Sequence, residues 1–353
     1  MTNFSELRIL NHLDEILEII KTGDTWPVMV EIDPTNICSH DCIWCCDAAL
    51  KSDKRSLTFQ QMTDVLEELI SHNLKSVVIK GGGEPTLSPH FIHLVEWLGE
   101  RHISIGVSTA GSNLIDKYDY AISQFCNWVK VSLDAASFKM HQKLHRPIKL
   151  HNFDVIITNI ERLAKRKKEL NAKLALGISF CINEDNYIEI EQGAELAKKL
   201  GCDYIYFKDV VFEKRGNDGT KFRQFGIDAI ADDLIASMKK KFWHDDFKVF
   251  SLSRPKIALT AKCLFTPLMA VLTATGDVYP CCHTRGREGW QYGNFIQEGS
   301  FAKVWLSNRR SELQKKVIRR DCSEYCSYRY EQHNIIIEYL WSITSGEKTD
   351  NFI

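Results

Sequence analysis

Short apolar stretches alternate with longer amphipathic stretches along most of this chain. The short stretches predict six β-strands, at residues 28–32, 76–80, 103–108, 128–133, 174–182 and 204–208. The amphipathic stretches predict helices at about 59–72, 89–101, 113–124, 152–169 and 189–200. Strands that are each followed by a helix favour parallel pairing with right-handed crossovers. We therefore predict an α/β fold built on a partial (β/α)6 parallel barrel.

The predicted strands separate large apolar residues from small and polar ones. In the strand at 174–182, every second residue from Leu174 is large and apolar, whereas the residues between them include Gly177, Ser179 and Cys181. The third and fourth predicted strands alternate in the same way. Because the inside of a filled barrel is packed with apolar side chains, the small and polar face predicts a lumen that holds a ligand. The alternative is a solvated sheet face.

Both ends of the chain depart from this alternation. An amphipathic helix is predicted ahead of the first strand, from Leu7, Leu10, Leu13, Leu17 and Ile20 at helical spacing. After about residue 209, a helix near 226–241 leads to a tail with a hairpin around Gly276 and helices at about 301–316 and 334–341. We therefore divide the chain into an N-terminal helix (1–25), a (β/α)6 core (26–215), a linker helix region (216–255) and a C-terminal domain (256–353).

Composition narrows the class of protein. Of 353 residues, 44% are hydrophobic and 26% are charged, which is typical of a globular protein. Lys and Arg number 45 against 46 Asp and Glu, so a field that gathers nucleic acid or an anionic membrane is not expected. Without a signal peptide or an apolar run of about 20 residues, the sequence predicts a soluble, cytoplasmic protein. Twelve cysteines in a reducing compartment indicate metal sites rather than disulfides.

Three of the cysteines follow the first predicted strand closely, as Cys38, Cys42 and Cys45. Thiolates select soft metals, chiefly zinc or the iron of an iron–sulfur cluster. Three protein ligands on a four-iron cubane would leave one iron open for a substrate or cofactor. The alternative is a structural zinc site that takes His40 or Cys46 as its fourth ligand.

This C-x3-C-x2-C spacing, with Trp44 before the last cysteine, resembles the motif of the radical SAM superfamily. The segment Gly81-Gly82-Gly83-Glu84-Pro85 after the second predicted strand is similar to the GGE motif of that superfamily. The resemblance implies that Gly82, Gly83 and Glu84 bind the methionyl amine of S-adenosylmethionine. It also implies further contacts to this cofactor from Ser108, Ser132, Asp134, Arg146 and Ser179.

A second cysteine set lies in the tail. Cys263, Gly276, Cys281 and the pair Cys322-x3-Cys326 resemble the SPASM/twitch extension of radical SAM enzymes. The resemblance implies a small hairpin-plus-helix domain in which these four cysteines close one auxiliary [4Fe–4S] cluster. Cys282 is then a non-ligand or a substitute ligand, and a four-thiolate zinc site is the alternative.

The resemblance implies an enzyme that uses two [4Fe–4S] clusters and S-adenosylmethionine. A flavodoxin- or ferredoxin-type donor would supply an electron, and a 5′-deoxyadenosyl radical would abstract hydrogen from the substrate. Our main hypothesis is oxidation or epimerisation of a polar small molecule of the sugar or aminocyclitol type. Cys181 would then return a hydrogen atom to the substrate radical, and Lys208 would be a second catalytic residue at the substrate end of the lumen. Polar residues predicted at the same substrate end are Glu31, Asp33, Lys80, Lys130, Tyr204 and Tyr206.

Two other functions remain open at this point. One is maturation of a ribosomally synthesised peptide, which we rank lower because only 37 residues precede Cys38 and many peptide-modifying relatives carry a leader-binding domain there. The other is a zinc-binding interaction protein without catalytic activity.

Overall fold

Six parallel strands lie side by side in chain order in the computed structural model of the protein, which describes residues 6–210, 212–213, 220–221, 228–251, 260–323, 326 and 330–344. The strands are β1 (Met29–Ile32), β2 (Ser76–Ile79), β3 (Ser104–Thr109), β4 (Cys126–Ser132), β5 (Ala175–Ile182) and β6 (Tyr204–Asp209). Each is followed by at least one helix, so the predicted α/β architecture with a parallel sheet is confirmed.

The sheet extends beyond these six strands on both sides. β9 (Lys248–Ser251) pairs in parallel with β6, and β10 (Met269–Leu272) pairs in parallel with β1. The predicted hairpin follows, because β11 (Asp277–Tyr279) runs antiparallel to β10 and β12 (Gly293–Asn294) continues it. The cysteine-bearing tail therefore lies beside the strand that carries the first cysteine loop. A separate two-stranded ribbon consists of β7 (Phe212–Glu213) and β8 (Thr220–Lys221).

The described part of the chain contains twelve α-helices. They are α1 (Leu13–Thr22), α2 (Phe59–Ser71), α3 (Phe91–Glu100), α4 (Asp119–Phe125), α5 (Phe138–His145), α6 (Asn152–Glu169), α7 (Ile190–Lys199), α8 (Asp228–Lys241), α9 (Phe295–Glu298), α10 (Phe301–Trp305), α11 (Asn308–Ile318) and α12 (Glu331–Thr344). In the described part of the chain, no helix has both the length and the apolar character needed to cross a bilayer. Residues 214–219, 222–227 and 252–255 of the predicted linker and its surroundings lie outside the described residues.

The strand alternation seen in the sequence corresponds to two different sides of the sheet. Leu176, Ile178 and Phe180 are fully or almost fully buried in the core between sheet and helices. On the opposite side, aromatic rings cover glycines near the amino ends of the strands: a Cβ on Gly106 would lie 2.1 Å from the Trp128 ring. The lumen is thus lined by small and polar residues only toward the carboxyl ends of the strands, whereas we predicted it along the whole face.

The N-terminal helix buries only one side of the apolar stripe that was predicted to pack. Ile9, Ile16 and Ile19 are buried, whereas Leu13 and Leu17 are 42% and 40% exposed. The isoleucines pack in one cluster with residues of the C-terminal tail. The apolar residues of the helix form one broad stripe, and contact with the tail decides which part of it is buried.

Two other helices differ from their predictions. α5 was not predicted, although the Ser137 side chain caps it by accepting a hydrogen bond from the backbone N–H of Met140. The helix predicted at 301–316 is divided into α10 and α11, because Ser307 caps a new helix by accepting from the backbone N–H of Arg310.

Candidate active site

The first cysteine loop leaves the carboxyl end of β1 and is held against the end of α5. The backbone N–H groups of Asp41 and Ile43 donate to the last two carbonyls of α5 at 3.1 Å and 3.0 Å. Cys38, Cys42 and Cys45 are all partly exposed, and their thiols influence one another electrostatically. The structure therefore brings the three predicted ligands together at the mouth of the sheet.

A lysine that we did not predict accompanies these thiols. Lys51 donates to the backbone carbonyl of His40 at 3.1 Å and also bonds to the Cys45 side chain. Burial disfavours its charge, but the thiols of all three cysteines raise its pKa well above the ordinary value. Burial raises the pKa of Cys38 to about 11, so nearby positive charge is needed to keep such thiolates ionised. Lys51 supplies that charge.

The glycine-rich turn after β2 packs against the chain that leads into the cysteine loop. A Cβ on Gly83 would lie 2.2 Å from the carbonyl oxygen of Ile37, and one on Gly82 would lie 2.6 Å from Asn36 Oδ1. Only glycine permits this close approach of the two backbones. Asn36 is buried, and its side-chain oxygen and nitrogen lack a hydrogen-bond partner among the described residues. Such orphaned polar atoms beside a glycine turn fit a polar ligand.

The Glu84 carboxylate is already occupied by donors of the protein itself. It accepts hydrogen bonds from the backbone N–H and hydroxyl of Thr86, from the Thr109 hydroxyl, and from the backbone N–H of Ala110 at 2.6 Å. Glu84 thereby connects the glycine turn to the end of β3. Its predicted bond to the methionyl amine stays a prediction.

The three predicted serines lie on the lumen side of neighbouring strands. Ser132 on β4 is paired in register with Ser179 on β5, and Ser108 lies on β3 beside Lys130. Ser179 is fully buried, and its hydroxyl has no hydrogen-bond partner in the described part of the chain. A buried hydroxyl without a partner costs free energy, so this side chain is a candidate ligand contact.

Asp134 and Arg146, the two remaining predicted cofactor contacts, differ in their surroundings. Asp134 is buried, accepts a hydrogen bond from the backbone N–H of Cys181 at 2.6 Å, and has its other carboxylate oxygen 3.1 Å from His145 Nε2. Although burial opposes it, the His145 ring holds the pKa of Asp134 below its ordinary value. Arg146 ends α5 in a left-handed conformation with an exposed side chain. Both residues border the cysteine loop, and their contacts to the cofactor remain predictions.

The two predicted catalytic residues meet in the lumen. Cys181 on β5 is paired in register with Lys208 on β6, and their side chains are within hydrogen-bonding reach. Burial and the neighbouring Asp134 carboxylate raise the pKa of Cys181 to about 12, so its thiol keeps its proton at neutral pH. The geometry places a thiol hydrogen beside an ammonium group.

The second cysteine set surrounds one cavity. Cys263, Cys281, Cys322 and Cys326 all line it, together with Thr266, His283, Thr284, Val317, Arg320, Ser323, Tyr330, Glu331 and Asn334. The Asn334 amide donates to Cys263 Sγ at 3.8 Å, and the Thr284 hydroxyl lies 3.8 Å from Cys281 Sγ. Nowhere in the described residues do three His, Cys, Asp or Glu side chains come close enough to share one metal ion. Thiols that surround a space fit a cubane, in which each binds a different iron.

Two family models match the chain, and each match contains one of the two cysteine sets. The model of the radical SAM superfamily matches residues 32–197. The SPASM model, described as an iron–sulfur cluster-binding domain, matches residues 263–328.

This chain belongs to the radical SAM superfamily.

Curated relatives resemble this radical SAM protein over most of its length. The mycofactocin maturase MftC of Mycolicibacterium smegmatis is 25% identical over 324 residues, which cover 88% of this chain and 78% of the relative. A tungsten-containing aldehyde ferredoxin oxidoreductase cofactor-modifying protein of Pyrococcus furiosus is 22% identical over 324 residues, with 84% and 86% covered.

Solved structures share its fold. SuiB of Streptococcus suis bound to S-adenosylmethionine has a TM-score of 0.67 at 15% identity and covers 89% of this chain and 75% of that one. The structure of anSMEcpe with bound AdoMet and a peptide has a TM-score of 0.61 at 16% identity, with 91% and 100% covered. At such identity the likeness shows the fold alone.

The cofactors of this radical SAM protein are S-adenosylmethionine and a [4Fe–4S] cluster at the first site, with further iron–sulfur cluster binding at the SPASM domain. Its residues fit both groups. Three clustered thiols lie at the first site, with a Ser179 hydroxyl that has no partner among the described residues, and four thiols line one cavity at the second. The matches also overturn the hypothesis of a zinc-binding interaction protein.

Sequence reasoning missed residues that lie far from the cysteine loop in the chain but contact it or its neighbours in the fold. His145 Nδ1 lies 3.3 Å from Cys42 Sγ, and Arg285 binds Asp33 and Asp47. The Ser137 cap followed by apolar and histidine residues at helical spacing would have predicted α5, and with it His145. Nothing local in the sequence marks Arg285.

Proposed function

We propose that this radical SAM protein modifies a ribosomally synthesised precursor peptide. The similarity to the mycofactocin maturase carries the proposal, because it covers 88% of this chain and 78% of that relative. A structure of SuiB bound to its precursor peptide SuiA, with a TM-score of 0.66, has the same fold. The enzyme class is shared with our sequence-based hypothesis, whereas the substrate class differs from the one we ranked first.

The chain's own residues have distinct tasks in this proposal. Cys38, Cys42 and Cys45 hold the first cluster, and the turn at Gly82 and Gly83 lets the cofactor approach the backbone. When bound, cluster and S-adenosylmethionine supply one-electron chemistry that removes a hydrogen atom from the substrate. Ser179 and its neighbours toward the carboxyl ends of the strands orient the bound molecules. A flavodoxin- or ferredoxin-type protein is the electron donor in the same proposal.

The test is an anaerobic assay with candidate precursor peptides. Short open reading frames near the gene supply synthetic peptides, which are incubated with reconstituted enzyme, S-adenosylmethionine and dithionite. We expect a mass change in one peptide together with peptide-dependent 5′-deoxyadenosine, and neither product from the Cys42→Ala variant. 5′-Deoxyadenosine formation that no peptide stimulates, but that a sugar or aminocyclitol does, would contradict the proposal.

Oxidation or epimerisation of a polar small molecule is the second candidate. The pairing of a protonated Cys181 thiol with Lys208 in the lumen favours it, because such a thiol can return a hydrogen atom to a substrate radical. The relative of Pyrococcus furiosus, named as a cofactor-modifying protein, also supports a substrate other than a peptide. Deuterium transfer from labelled substrates into 5′-deoxyadenosine distinguishes the two candidates.

A further inference from the structure

Cys42 has a buried histidine behind it, and that histidine has a buried carboxylate behind it. His145 Nδ1 lies 3.3 Å from Cys42 Sγ, and His145 Nε2 lies 3.1 Å from Asp134 Oδ2. The side chains of His145 and Asp134 are each only 2% exposed. The three residues come from the cysteine loop, the end of α5 and the segment after β4, so only the tertiary structure aligns them.

Neighbouring contacts keep the imidazole in this position. His141, one turn earlier on α5, stacks on the His145 ring with centroids 4.6 Å apart, and Trp44 meets its edge at 6.1 Å. The backbone of the cysteine loop is hydrogen-bonded to the same end of α5. Loop and ring are therefore both attached to the same end of α5.

The carboxylate is fixed as firmly as the ring. Asp134 Oδ1 accepts the backbone N–H of Cys181 at 2.6 Å, and the Asp134 carbonyl accepts a hydrogen bond from the Asn186 amide at 2.8 Å. One oxygen thus remains directed at His145. Partners of this kind orient a ligand and adjust the electronic properties of a metal centre.

The direction of the hydrogen bond follows from the chemistry of the ligand. A cysteine that binds iron is a thiolate and has no proton to donate, so His145 Nδ1 must be the donor. Asp134 Oδ2 lies 3.1 Å from the other ring nitrogen, which is an ion-pair distance. A hydrogen bond to a cluster sulfur stabilises the reduced cluster, which carries more negative charge, and therefore raises its reduction potential.

We propose that Asp134 and His145 are positioning residues that hold Cys42 and raise the reduction potential of the first cluster through a hydrogen bond from His145 to the Cys42 sulfur. The proposal depends on the first cluster being present and not on the substrate. It can therefore fail while the proposed peptide modification stands, and the reverse also holds.

An EPR-monitored redox titration of the reconstituted protein tests the proposal. The first cluster is identified as the one whose signal changes when S-adenosylmethionine is added. His145→Leu removes the donor, whereas His145→Asn keeps an amide N–H near the position of Nδ1. His141→Phe is the matched control, because it keeps an aromatic ring on the same helix and neither nitrogen of His141 has a hydrogen-bond partner among the described residues.

We expect the His145→Leu cluster to have a lower potential. At the wild-type midpoint its ratio of reduced to oxidised cluster should fall about tenfold, which corresponds to about 59 mV for one electron. The midpoint potential of His145→Asn should lie between those of His145→Leu and the wild type, and that of His141→Phe should equal the wild-type value. An unchanged midpoint in His145→Leu overturns the proposal, as does an equal shift in the His141→Phe control.

Iron analysis shows whether His145→Leu still binds the first cluster. If it does not, His145→Asn and the isosteric Asp134→Asn are titrated. Cluster binding by His145→Asn, together with a smaller lowering of the potential in Asp134→Asn, supports the proposal. If the Asn variant loses the cluster as the Leu variant does, or if Asp134→Asn has the wild-type potential, the histidine is merely structural and the proposal is wrong.

Discussion

Arg285 Nη1 lies 2.8 Å and 2.9 Å from the two carboxylate oxygens of Asp33, although 252 residues separate them in the chain. The same guanidinium contacts Asp47, with Nε 2.9 Å from one oxygen and Nη2 2.5 Å from the other. Asp33 follows β1, Asp47 lies two residues after Cys45, and Arg285 lies four residues after Cys281. One buried cation thus connects the two cysteine sets.

Loss of this cation should destabilise the protein strongly. Arg285→Gln leaves two buried carboxylates without their counter-charge, so we expect the free energy of unfolding to fall by about 3–5 kcal/mol. Unfolding in guanidinium chloride under anaerobic conditions measures this free energy. Arg319→Gln is the control, because the Arg319–Asp321 bridge is exposed and should contribute less than about 1 kcal/mol. Equal losses in the two variants would contradict the assigned role of Arg285.

A single methyl group at Gly83 should prevent assembly of the first cluster. In Gly83→Ala the new Cβ would lie 2.2 Å from the Ile37 carbonyl oxygen and 2.5 Å from the carbonyl carbon of Asn36, so the chain before Cys38 must move. We expect iron bound at the first site to fall at least fivefold after reconstitution. Gly293→Ala, whose Cβ would meet the Val304 side chain at 3.0 Å or more and no backbone atom among its three nearest neighbours, should bind iron normally.

Iron analysis of two cysteine variants should separate the two clusters. Wild-type protein is expected to bind about eight irons, because two cubanes hold four each. Cys42→Ala should lose about half of the iron and all production of 5′-deoxyadenosine. Cys322→Ala should also lose about half, yet it should retain S-adenosylmethionine cleavage while full turnover is impaired. Unchanged cleavage in Cys42→Ala would refute the assignment of the first cluster.

The thiol of Cys181 should resist alkylation at neutral pH. Its pKa of about 12, against an ordinary 9.0, leaves roughly one thousandth of the usual thiolate, and the thiolate is the nucleophile. Reactivity should rise only as the pH approaches 12. The exposed Cys46 should react with iodoacetamide at pH 8 within minutes, and peptide mass spectrometry compares the two sites. Equal labelling of both thiols in folded protein would show that Cys181 is not held as described.

Periodicity was sufficient for the parallel strands, because short apolar stretches between amphipathic ones are a local feature of the sequence. It failed for the first helix, where Leu13 and Ile16 belong to one broad apolar stripe and the C-terminal tail determines which part of it is buried. It also missed α5, a short helix of eight residues with a high share of polar side chains.

The sequence by itself determined the family, the first cysteine set and the glycine turn, because the residues of each motif are close together in the chain and covalent geometry limits where they can lie. The second cysteine set is spread from Cys263 to Cys326, and the sequence indicated it only through the resemblance of its spacing to the SPASM/twitch extension. Only the tertiary structure decided that His145 supports Cys42 and that Arg285 joins Asp33 to Asp47. His145 and Cys42 are 103 residues apart in the chain, and Arg285 and Asp33 are 252 residues apart. Their contacts arise from packing of distant segments, and buried charges need partners wherever the fold brings them together.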